Sequence, residues 1–452
     1  MVQMNDNIVG LDSSILMHPT TWKASGHVDA FNDPLIDNKD SKLRYRADVL
    51  IEDYIAKIET KINKEIAKAK KRFGDAFDED EFRKTNTRVL ENQKKIDNTT
   101  SKMKKCFEDD DLVSLKQLIV DLEISDPVSG SKNWTDIKQF NLMFSTSIGA
   151  SSESASEIFL RPETAQGIFV NFLNVQKTSR KKIPFGIAQI GKAFRNEIIA
   201  RNFIFRTREF EQMEMQYFVK PGTDDATLED WKEKRFIFYS KYLGIDKSKL
   251  RFHKHGDNEL AHYAKEAWDI EYHFPFGWSE IEGIHNRTDY DLSQHEKFSG
   301  KNLSYFDQPN NERFLPYIIE TSAGLNRMLL TVLVDAYWED VENKRIVMKF
   351  DPMIAPVKAV ICPLTKKDGL PKKAKDVTMK LKSHFKVIYD QQGSIGKRYY
   401  RQDEAGTPFG VTIDHQSLSD ETFTLRYRDT QEQDRLSLEQ IISIINKSVH
   451  PK

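Results

Sequence analysis

Two polar-faced segments near the middle of the chain constrain its fold most. Residues 185–197 and 208–219 are separated by a short loop and predict the two arms of a β-hairpin. Because strand residues alternate between faces, Gln189, Arg195 and Glu197 share one face of the first arm. The second arm places a similar set on one face: Phe210, Gln212, Glu214 and Gln216. A face of this composition makes a poor core and a good binding site.

The side chains on this face have the chemistry that a nucleotide needs. An aromatic ring can stack on a base, and arginines can fork onto phosphate oxygens. The loop adds Arg206 and Arg208, followed by the aromatic Phe210. An aromatic residue on a strand is more often part of a core, so Phe210 alone would not decide the matter.

These residues resemble motif 2 of the class II aminoacyl-tRNA synthetases, through the phrases FRNE (194–197) and FRTREF (205–210). The phrase RPETAQG (161–167) precedes motif 2, and AGLNR (323–327) resembles motif 3. Longer phrases such as MHPTTWKASGHVDAFNDPLIDNKDSKLRYRAD, FGIAQIGKAFRNEI and NRTDYDLSQH are similar to glycyl-tRNA synthetase of the dimeric type. The resemblance covers almost the whole chain, and only residues 55–135 match loosely.

Composition agrees with a multidomain protein of the cytoplasm. A chain of 452 residues predicts two or three domains. Charged residues make up 30% of it, and no apolar run approaches the roughly 18 residues of a membrane span, so we predict no membrane contact. Cys106 and Cys362 lie far apart, which fits a reducing compartment and predicts no zinc site. The net charge of -1 means that RNA must be bound by local patches.

The resemblance implies an α+β catalytic domain with an antiparallel sheet flanked by helices, a helical insertion and a C-terminal α/β anticodon-binding domain. We predict boundaries at 1–54 for the N-terminal part of the catalytic domain with its motif 1 strand, 55–135 for the insertion, 136–350 for the core with motifs 2 and 3, and 351–452 for the anticodon domain. Ile58, Ile62 and Ile66 follow helical spacing inside the insertion. Its basic run at 68–72 could meet tRNA phosphates or form a solvated helix face.

The resemblance also implies a reaction. Glycine is activated with ATP and Mg²⁺ to glycyl-adenylate, and the glycyl group then passes to the 3′ end of tRNA-Gly. Such an in-line displacement needs charge neutralisation and positioning rather than a nucleophilic side chain. The implied catalytic residues are Arg195, Glu197 and Arg327. The implied ATP-binding residues are Arg195, Asn196, Glu197, Phe205, Arg206, Arg208, Phe210, Glu280, Ile281, Gly324 and Arg327.

Interpretations of these residues without a catalytic or binding role stay open at this point. Arg195 and Glu197 could form a buried ion pair, and Arg206 and Arg208 could be exposed loop arginines. Glu280, which the resemblance implies as the Mg²⁺ ligand by way of ATP, could be an ordinary surface glutamate. The sequence departs from a common family form at position 326, where asparagine stands in place of the frequent aspartate.

Glycine selection is a problem of size and charge. A pocket can exclude larger amino acids sterically and hold the ammonium with carboxylates, so no editing domain is needed. The implied glycine-binding residues are Arg46, Glu163, Phe210, Gln212, Glu214, Glu320, Ser322 and Gly324. Arg44 is the near alternative to Arg46, and each glutamate could instead belong to an ordinary ion pair.

The C-terminal segment resembles the anticodon-binding domain shared by the glycyl, histidyl, threonyl and prolyl enzymes. Its candidate RNA contacts are Lys397, Arg398, Arg401, Gln402 and Arg426, and each of them could instead be only a solvated residue. Residues 9–19 resemble the strand and proline of motif 1, whereas most of the preceding helix has no counterpart. We therefore expect a chain truncated within motif 1, and the homodimer of the full-length family stays open for it.

Two other functions compete with a glycine–tRNA ligase. The first is a non-catalytic relative that binds nucleic acid on a synthetase scaffold, and such a protein is expected to lose the arginines that hold ATP. Arg195 and Arg327 are both present, which favours the enzyme. The second is a synthetase for another amino acid, and the three glutamates at 163, 214 and 320 argue against it.

Overall fold

The computed structural model describes residues 1–74, 77–149, 155–198, 200–256, 260–261 and 263–450. Its contacts divide the chain into two compact units, one made of Met1–Met17 with Glu163–Lys452 and the other of His18–Pro162. Across the described residues, no helix is long and apolar enough to cross a membrane. Strand β1 (Ile8–Gly10) opens the first unit.

The unit His18–Pro162 is built around long helices. Its elements are α1 (Pro19–Ala24), α2 (His27–Ala30), β2 (Asn32–Asp37), β3 (Arg44–Arg46), α3 (Ala47–Phe73), α4 (Glu79–Thr85), α5 (Thr87–Glu108), α6 (Leu112–Asp121), β4 (Lys138–Asn141), β5 (Ser145–Ile148) and β6 (Ser156–Phe159). Ile58, Ile62 and Ile66 of α3 pack with Val89 and Ile96 of α5 in one small core. The helical spacing read from the sequence therefore marks the buried stripe of α3.

The first unit contains the sheet that carries the predicted hairpin. Its elements up to residue 348 are α7 (Ala165–Ser179), β7 (Phe185–Phe194), β8 (Glu209–Val219), α8 (Asp224–Ile237), β9 (Leu250–Lys254), β10 (Glu266–Phe274), β11 (Gly277–Thr288), α9 (Tyr290–Ser299), β12 (Tyr305–Asp307), β13 (Glu312–Phe314), β14 (Tyr317–Gly324), α10 (Leu325–Ala336), β15 (Tyr337–Asp340) and β16 (Arg345–Met348). The seven-stranded sheet has the order β1-β7-β8-β14-β11-β10-β9. Strand β1 is parallel to β7, and the remaining neighbours pair antiparallel.

The two faces of this sheet have different roles. On one face Met215 and Ile319 belong to a core that includes residues of α8 and α10. On the other face Phe218 and Ile318 pack with α7 and α9. Further along β8 and β14, the positions that share this second face become polar, beginning with Gln216 and Glu320. The site is therefore a polar continuation of a packed face.

Close packing brings the N-terminal segment against α7. A Cβ atom at Gly167 would lie 2.0 Å from Ser13 Oγ, so only glycine fits at this crossing. Ser13 Oγ also donates to Gln189 Oε1 at 2.8 Å. The prediction that a strand runs through residues 9–19 is wrong in extent, because β1 ends at Gly10 and Pro19 begins α1. Proline at the first helical position is favourable because its missing N–H would have no helical partner.

The C-terminal part of the first unit forms a second sheet. Its elements are β17 (Ala359–Pro363), α11 (Leu370–Lys382), β18 (Val387–Tyr389), α12 (Ile395–Glu404), β19 (Phe409–Ile413), α13 (Ser417–Asp420), β20 (Thr422–Tyr427), β21 (Gln433–Ser437) and α14 (Leu438–Val449). The strand order is β18-β17-β19-β20-β21, with β17 parallel to both β18 and β19. The predicted α/β domain with a partly parallel sheet is confirmed.

Three of the five candidate RNA contacts in this domain are internal residues. Arg398 is 2% exposed and donates to the backbone oxygens of Pro363 and Gly393. Arg426 donates to both carboxylate oxygens of Asp403, and Gln402 is buried as well. The prediction that these three side chains meet RNA is therefore wrong. Their burial and internal hydrogen bonds show that they stabilise the domain instead.

Candidate active site

A cavity of about 170 Å³ opens on the polar end of the seven-stranded sheet. It is lined by residues from the loop between β7 and β8, from β8, β11 and β14 and from the start of α10, together with Glu163 and Tyr263. Thirteen of the residues predicted from the sequence line it: Glu163, Arg195, Glu197, Phe205, Arg206, Phe210, Gln212, Glu214, Glu280, Glu320, Ser322, Gly324 and Arg327. Residues that lie up to 164 positions apart in the sequence thus meet in one cavity.

The predicted hairpin supplies the floor of this cavity. In the register of β7 and β8, Gln189 lies opposite Glu214 and Ala193 lies opposite Phe210. Beyond the end of β7, the Arg195 N–H still donates to the Arg208 oxygen at 2.9 Å. The backbone therefore stays paired to the point where the arginine leaves the strand, which limits the directions its side chain can take.

One end of the cavity is cationic. The guanidinium carbon of Arg195 lies 5.4 Å from the centre of the Phe210 ring, and that of Arg327 lies 4.4 Å from the centre of the Phe205 ring. Arg206 also lines this end, 3.9 Å from Glu197. Arginines beside aromatic rings form the kind of surface that binds a base and its phosphates.

Glu280 faces the same end of the cavity and pairs with Arg327. Arg327 Nη1 lies 3.1 Å from Glu280 Oε2, and the glutamate side chain is 49% exposed. Partial burial works against its charge, but Arg327 and Arg195 outweigh it and lower the pKa of Glu280. A single ionised, accessible carboxylate suits Mg²⁺, which takes one or two carboxylates together with phosphate oxygens.

The other end of the cavity is acidic and centres on Glu214, which is 2% exposed. This carboxylate accepts hydrogen bonds from the Thr164 hydroxyl and, at 3.0 Å, from the Gln212 side chain. Both of these partners are neutral. Burial, with Glu320 and Glu163 nearby, raises the pKa of Glu214 to about 8.

Glu320 lies on the neighbouring strand in a different electrostatic environment. Arg287 Nη1 donates to it at 2.8 Å, Gln216 Nε2 donates at 2.6 Å, and His285 Nδ1 lies 3.1 Å away. Burial works against its charge, but Arg287 and His285 hold the pKa of Glu320 well below its usual range. The two glutamates of this cavity therefore have pKa values shifted in opposite directions, upward for Glu214 and downward for Glu320.

Four predicted residues do not line the cavity. Arg208 donates to the backbone oxygens of Glu197 and Ile198, which braces the two arms of the loop. Ile281 is 1% exposed within the core, and Asn196 lies outside the cavity lining. Arg46 belongs to the unit His18–Pro162, where it pairs with Asp33 and Asp48.

Sequence reasoning missed several residues of this site. Tyr263, Gly283 and His285 line the cavity although no role was predicted for them. The unusual Asn326 also lines it, and its side-chain oxygen accepts from the Glu211 N–H at 2.7 Å. An amide oxygen serves this contact as a carboxylate would, so the departure at position 326 preserves a link between α10 and β8.

Three family models match consecutive parts of the chain. "Glycyl-tRNA synthetase insertion domain 1" matches residues 33–142, "tRNA synthetase class II core domain (G, H, P, S and T)" matches 144–336, and "Anticodon binding domain" matches 358–448. The glycine–tRNA ligase of Chlorobaculum tepidum is 51% identical over 440 residues, which cover 97% of this chain and 87% of that protein. The chain belongs to the glycyl-tRNA synthetase family. The ligases of Treponema denticola and Macrococcus caseolyticus are 48% and 47% identical, over 99% of this chain and 86% and 88% of theirs.

The fold is also found outside the family. A crystal structure of the Cryptosporidium parvum prolyl-tRNA synthetase, complexed with L-proline and AMP, matches with a TM-score of 0.53 at 17% identity. The match covers 68% of this chain and 64% of that one. The resemblance and the fold class predicted from the motifs are therefore confirmed: a class II core with an antiparallel sheet, an insertion domain and a C-terminal anticodon-binding domain.

Proposed function

We propose that this cavity joins glycine to the α-phosphate of ATP and that the chain then transfers the glycyl group to the 3′ end of tRNA-Gly. The protein is a glycine–tRNA ligase, as are relatives that share about half of its residues over nearly its whole length. The observation that carries the mechanism is the meeting of a cationic, aromatic end with a buried acidic end in one cavity. These two ends match the triphosphate of ATP and the ammonium of glycine.

At the cationic end, the proposed role of Arg195 is to contact both the glycine carboxylate and the α-phosphate. Negative charge grows there as the carboxylate oxygen attacks and pyrophosphate leaves, so a fixed guanidinium stabilises the transition state more than the ground state. Phe210 would stack on adenine, while Arg206 and Arg327 would hold the outer phosphates. Arg327 stands in the first turn of α10, where the helix N-terminus adds to the attraction for an anion.

At the acidic end, Glu163, Glu214 and Glu320 would surround the glycine ammonium. Gln212 donates to Ser322 Oγ at 2.9 Å, and this pair would close the pocket around the α-carbon. An amino acid with a side chain would have to displace these bonded groups. Rejection of alanine and serine would therefore come from the lack of room beside the α-carbon.

Glu280 would hold Mg²⁺, together with phosphate oxygens of ATP. The ion would neutralise charge on the leaving pyrophosphate, and Arg327, which pairs with Glu280, would keep that carboxylate aimed at the phosphates. Asn196, Arg208, Ile281 and Arg46 remain predicted substrate contacts. For Ile281 the contact would use the backbone, because its side chain is buried in the core.

The domain at residues 358–448 would recognise the tRNA, with Lys397 and Arg401 as the candidate contacts exposed on α12. The proposal includes a homodimer and a cytoplasmic location, both carried by the family resemblance alone. Light scattering after size-exclusion chromatography measures the first of these directly.

Glycine-dependent ATP–pyrophosphate exchange tests the proposed adenylation. Exchange should require glycine and should not be supported by alanine or serine at equal concentration. Exchange that responds to serine or alanine as well as to glycine would refute the assigned specificity. No exchange with any amino acid, from protein that binds tRNA, would favour the non-catalytic relative.

A further inference from the structure

Four buried polar side chains lie behind the acidic end of the cavity. Gln166, Arg287, Asp291 and His295 are each 5% exposed or less. They belong to the phrases RPETAQG and NRTDYDLSQH, and no part of the reaction proposed above uses them. Polar groups buried this deeply are costly unless every one is hydrogen-bonded, so their arrangement needs a reason.

Arg287 connects an aspartate to one of the cavity glutamates. Its Nε and Nη2 donate to the two oxygens of Asp291 at 2.7 and 2.9 Å. Its remaining terminal nitrogen donates to Glu320 Oε2 at 2.8 Å. The bidentate contact fixes the plane of the guanidinium, and this plane in turn fixes the direction from which Glu320 is held.

Gln166 connects the same aspartate to a second cavity glutamate. Its side-chain nitrogen donates to Glu163 Oε1 at 2.9 Å and to Asp291 Oδ1 at 3.0 Å. Its oxygen lies 2.7 Å from His295 Nε2. Because carboxylates can only accept, the amide nitrogen must face them and the oxygen must accept from His295. Burial lowers the pKa of His295, which favours the neutral ring, and the contact with the Gln166 oxygen places its proton on Nε2.

The backbone is strained where this network is assembled. Thr288 ends β11 with a φ of 51°, a region that β-branched residues rarely adopt. Helix α9 starts at Tyr290, and its Asp291 and His295 lie one turn apart on the same face. This sharp turn brings Arg287 and Asp291 together. Strain of this kind persists where the surrounding contacts over-determine it.

We infer that Gln166, His295, Asp291 and Arg287 are positioning residues that hold Glu163 and Glu320 as a pair for the ammonium group of glycine. The inference rests on the proposed function of the cavity. The hydrogen-bonded path runs from Glu163 through Gln166, Asp291 and Arg287 to Glu320, so the two ends of the path are the two carboxylates that face the ligand. A bound ammonium then meets oxygens already in place and does not have to order them.

The Gln166→Met variant tests this role, because methionine keeps the chain length and removes both N–H donors. Losing a hydrogen bond to a charged group predicts a KM for glycine raised by about 10- to 100-fold in pyrophosphate exchange. The KM for ATP and the kcat at saturating glycine should not change. The Thr378→Val variant is the matched control, since Thr378 is a buried polar residue of the anticodon domain.

A pair of variants at His295 provides the second measurement. His295→Gln retains an N–H donor for the Gln166 oxygen and should keep the KM for glycine near the unmodified value, whereas His295→Leu should raise it. An unchanged KM for glycine in Gln166→Met and His295→Leu would overturn the inference. An equal rise in the KM values for glycine and ATP would overturn it too, since that is the mark of general disruption. Absence of glycine-dependent exchange in the unmodified protein would instead reject the proposed function.

Discussion

The affinity for glycine should depend steeply on pH because of Glu214. This carboxyl is buried among neutral donors, and burial beside Glu320 and Glu163 raises its pKa to about 8. Below that pH the free protein holds a proton on Glu214, and the ammonium of glycine binds best after this proton has left. Glycine binding should therefore release a proton and should weaken as the pH falls.

The size of the effect follows because a proton and the ammonium of glycine compete for the same carboxylate of Glu214. Each pH unit below the pKa of Glu214 costs about tenfold in affinity, or about 1.4 kcal/mol. Between pH 8 and pH 6 the dissociation constant of glycine should rise by about 50-fold, because about half of Glu214 is already protonated at pH 8. The Glu214→Gln variant resembles the protonated carboxyl, so its affinity should be independent of pH and no higher than that of the unmodified protein at pH 6.

Isothermal titration calorimetry with glycine at pH 6, 7 and 8 measures both quantities. At pH 7, nearly one proton should be released for each glycine bound. The binding enthalpies observed in phosphate and in Tris should therefore differ by nearly the full difference between the ionisation enthalpies of the two buffers. His285 and Glu163 also face this end of the cavity, and a His285→Gln variant shows whether the histidine contributes to the pH dependence. A dissociation constant that stays flat between pH 6 and pH 8, with no difference between buffers, would refute the reasoning.

Three further perturbations test other parts of the structure. Arg195→Lys keeps the charge but loses the forked donors, so the exchange rate at saturating substrates should fall by about 10²- to 10³-fold while calorimetric glycine binding persists. Arg345→Met would leave the buried Asp340 without its cation and Asp403 with Arg426 alone, and it should cost about 3–5 kcal/mol in urea unfolding. Arg401→Met, at a half-exposed pair, should cost no more than about 1 kcal/mol. Gly167→Ala places a Cβ atom 2.0 Å from Ser13 Oγ and should lower stability by about 1–3 kcal/mol, and adding Ser13→Gly should recover part of that loss.

The sequence could predict the parts of the site that lie in continuous phrases. The hairpin, Arg195 and Phe210 follow from local alternation and the motif phrases. Residues that meet only through the strand order β8-β14-β11 were harder to find, because sequence spacing does not encode which strands are neighbours. His285 is the clearest example, since it lies on β11 and contacts Glu320 on the paired strand β14.

Basic residues in the anticodon domain show a second limit of prediction from the sequence. Arg398 and Arg426 look like RNA contacts because the sequence does not distinguish surface arginines from buried ones. Only the fold shows that Asp403 and the backbone oxygens of Pro363 and Gly393 already use their donors.

Charging of a tRNA-Gly transcript with radiolabelled glycine tests the central claim most directly. The account predicts ATP-dependent formation of glycyl-tRNA, none with alanine or serine, and a rate that falls by at least about 10²-fold in the Arg195→Lys variant. Full charging by that variant, or charging with alanine at a rate close to that with glycine, would contradict the roles given to the two ends of the cavity.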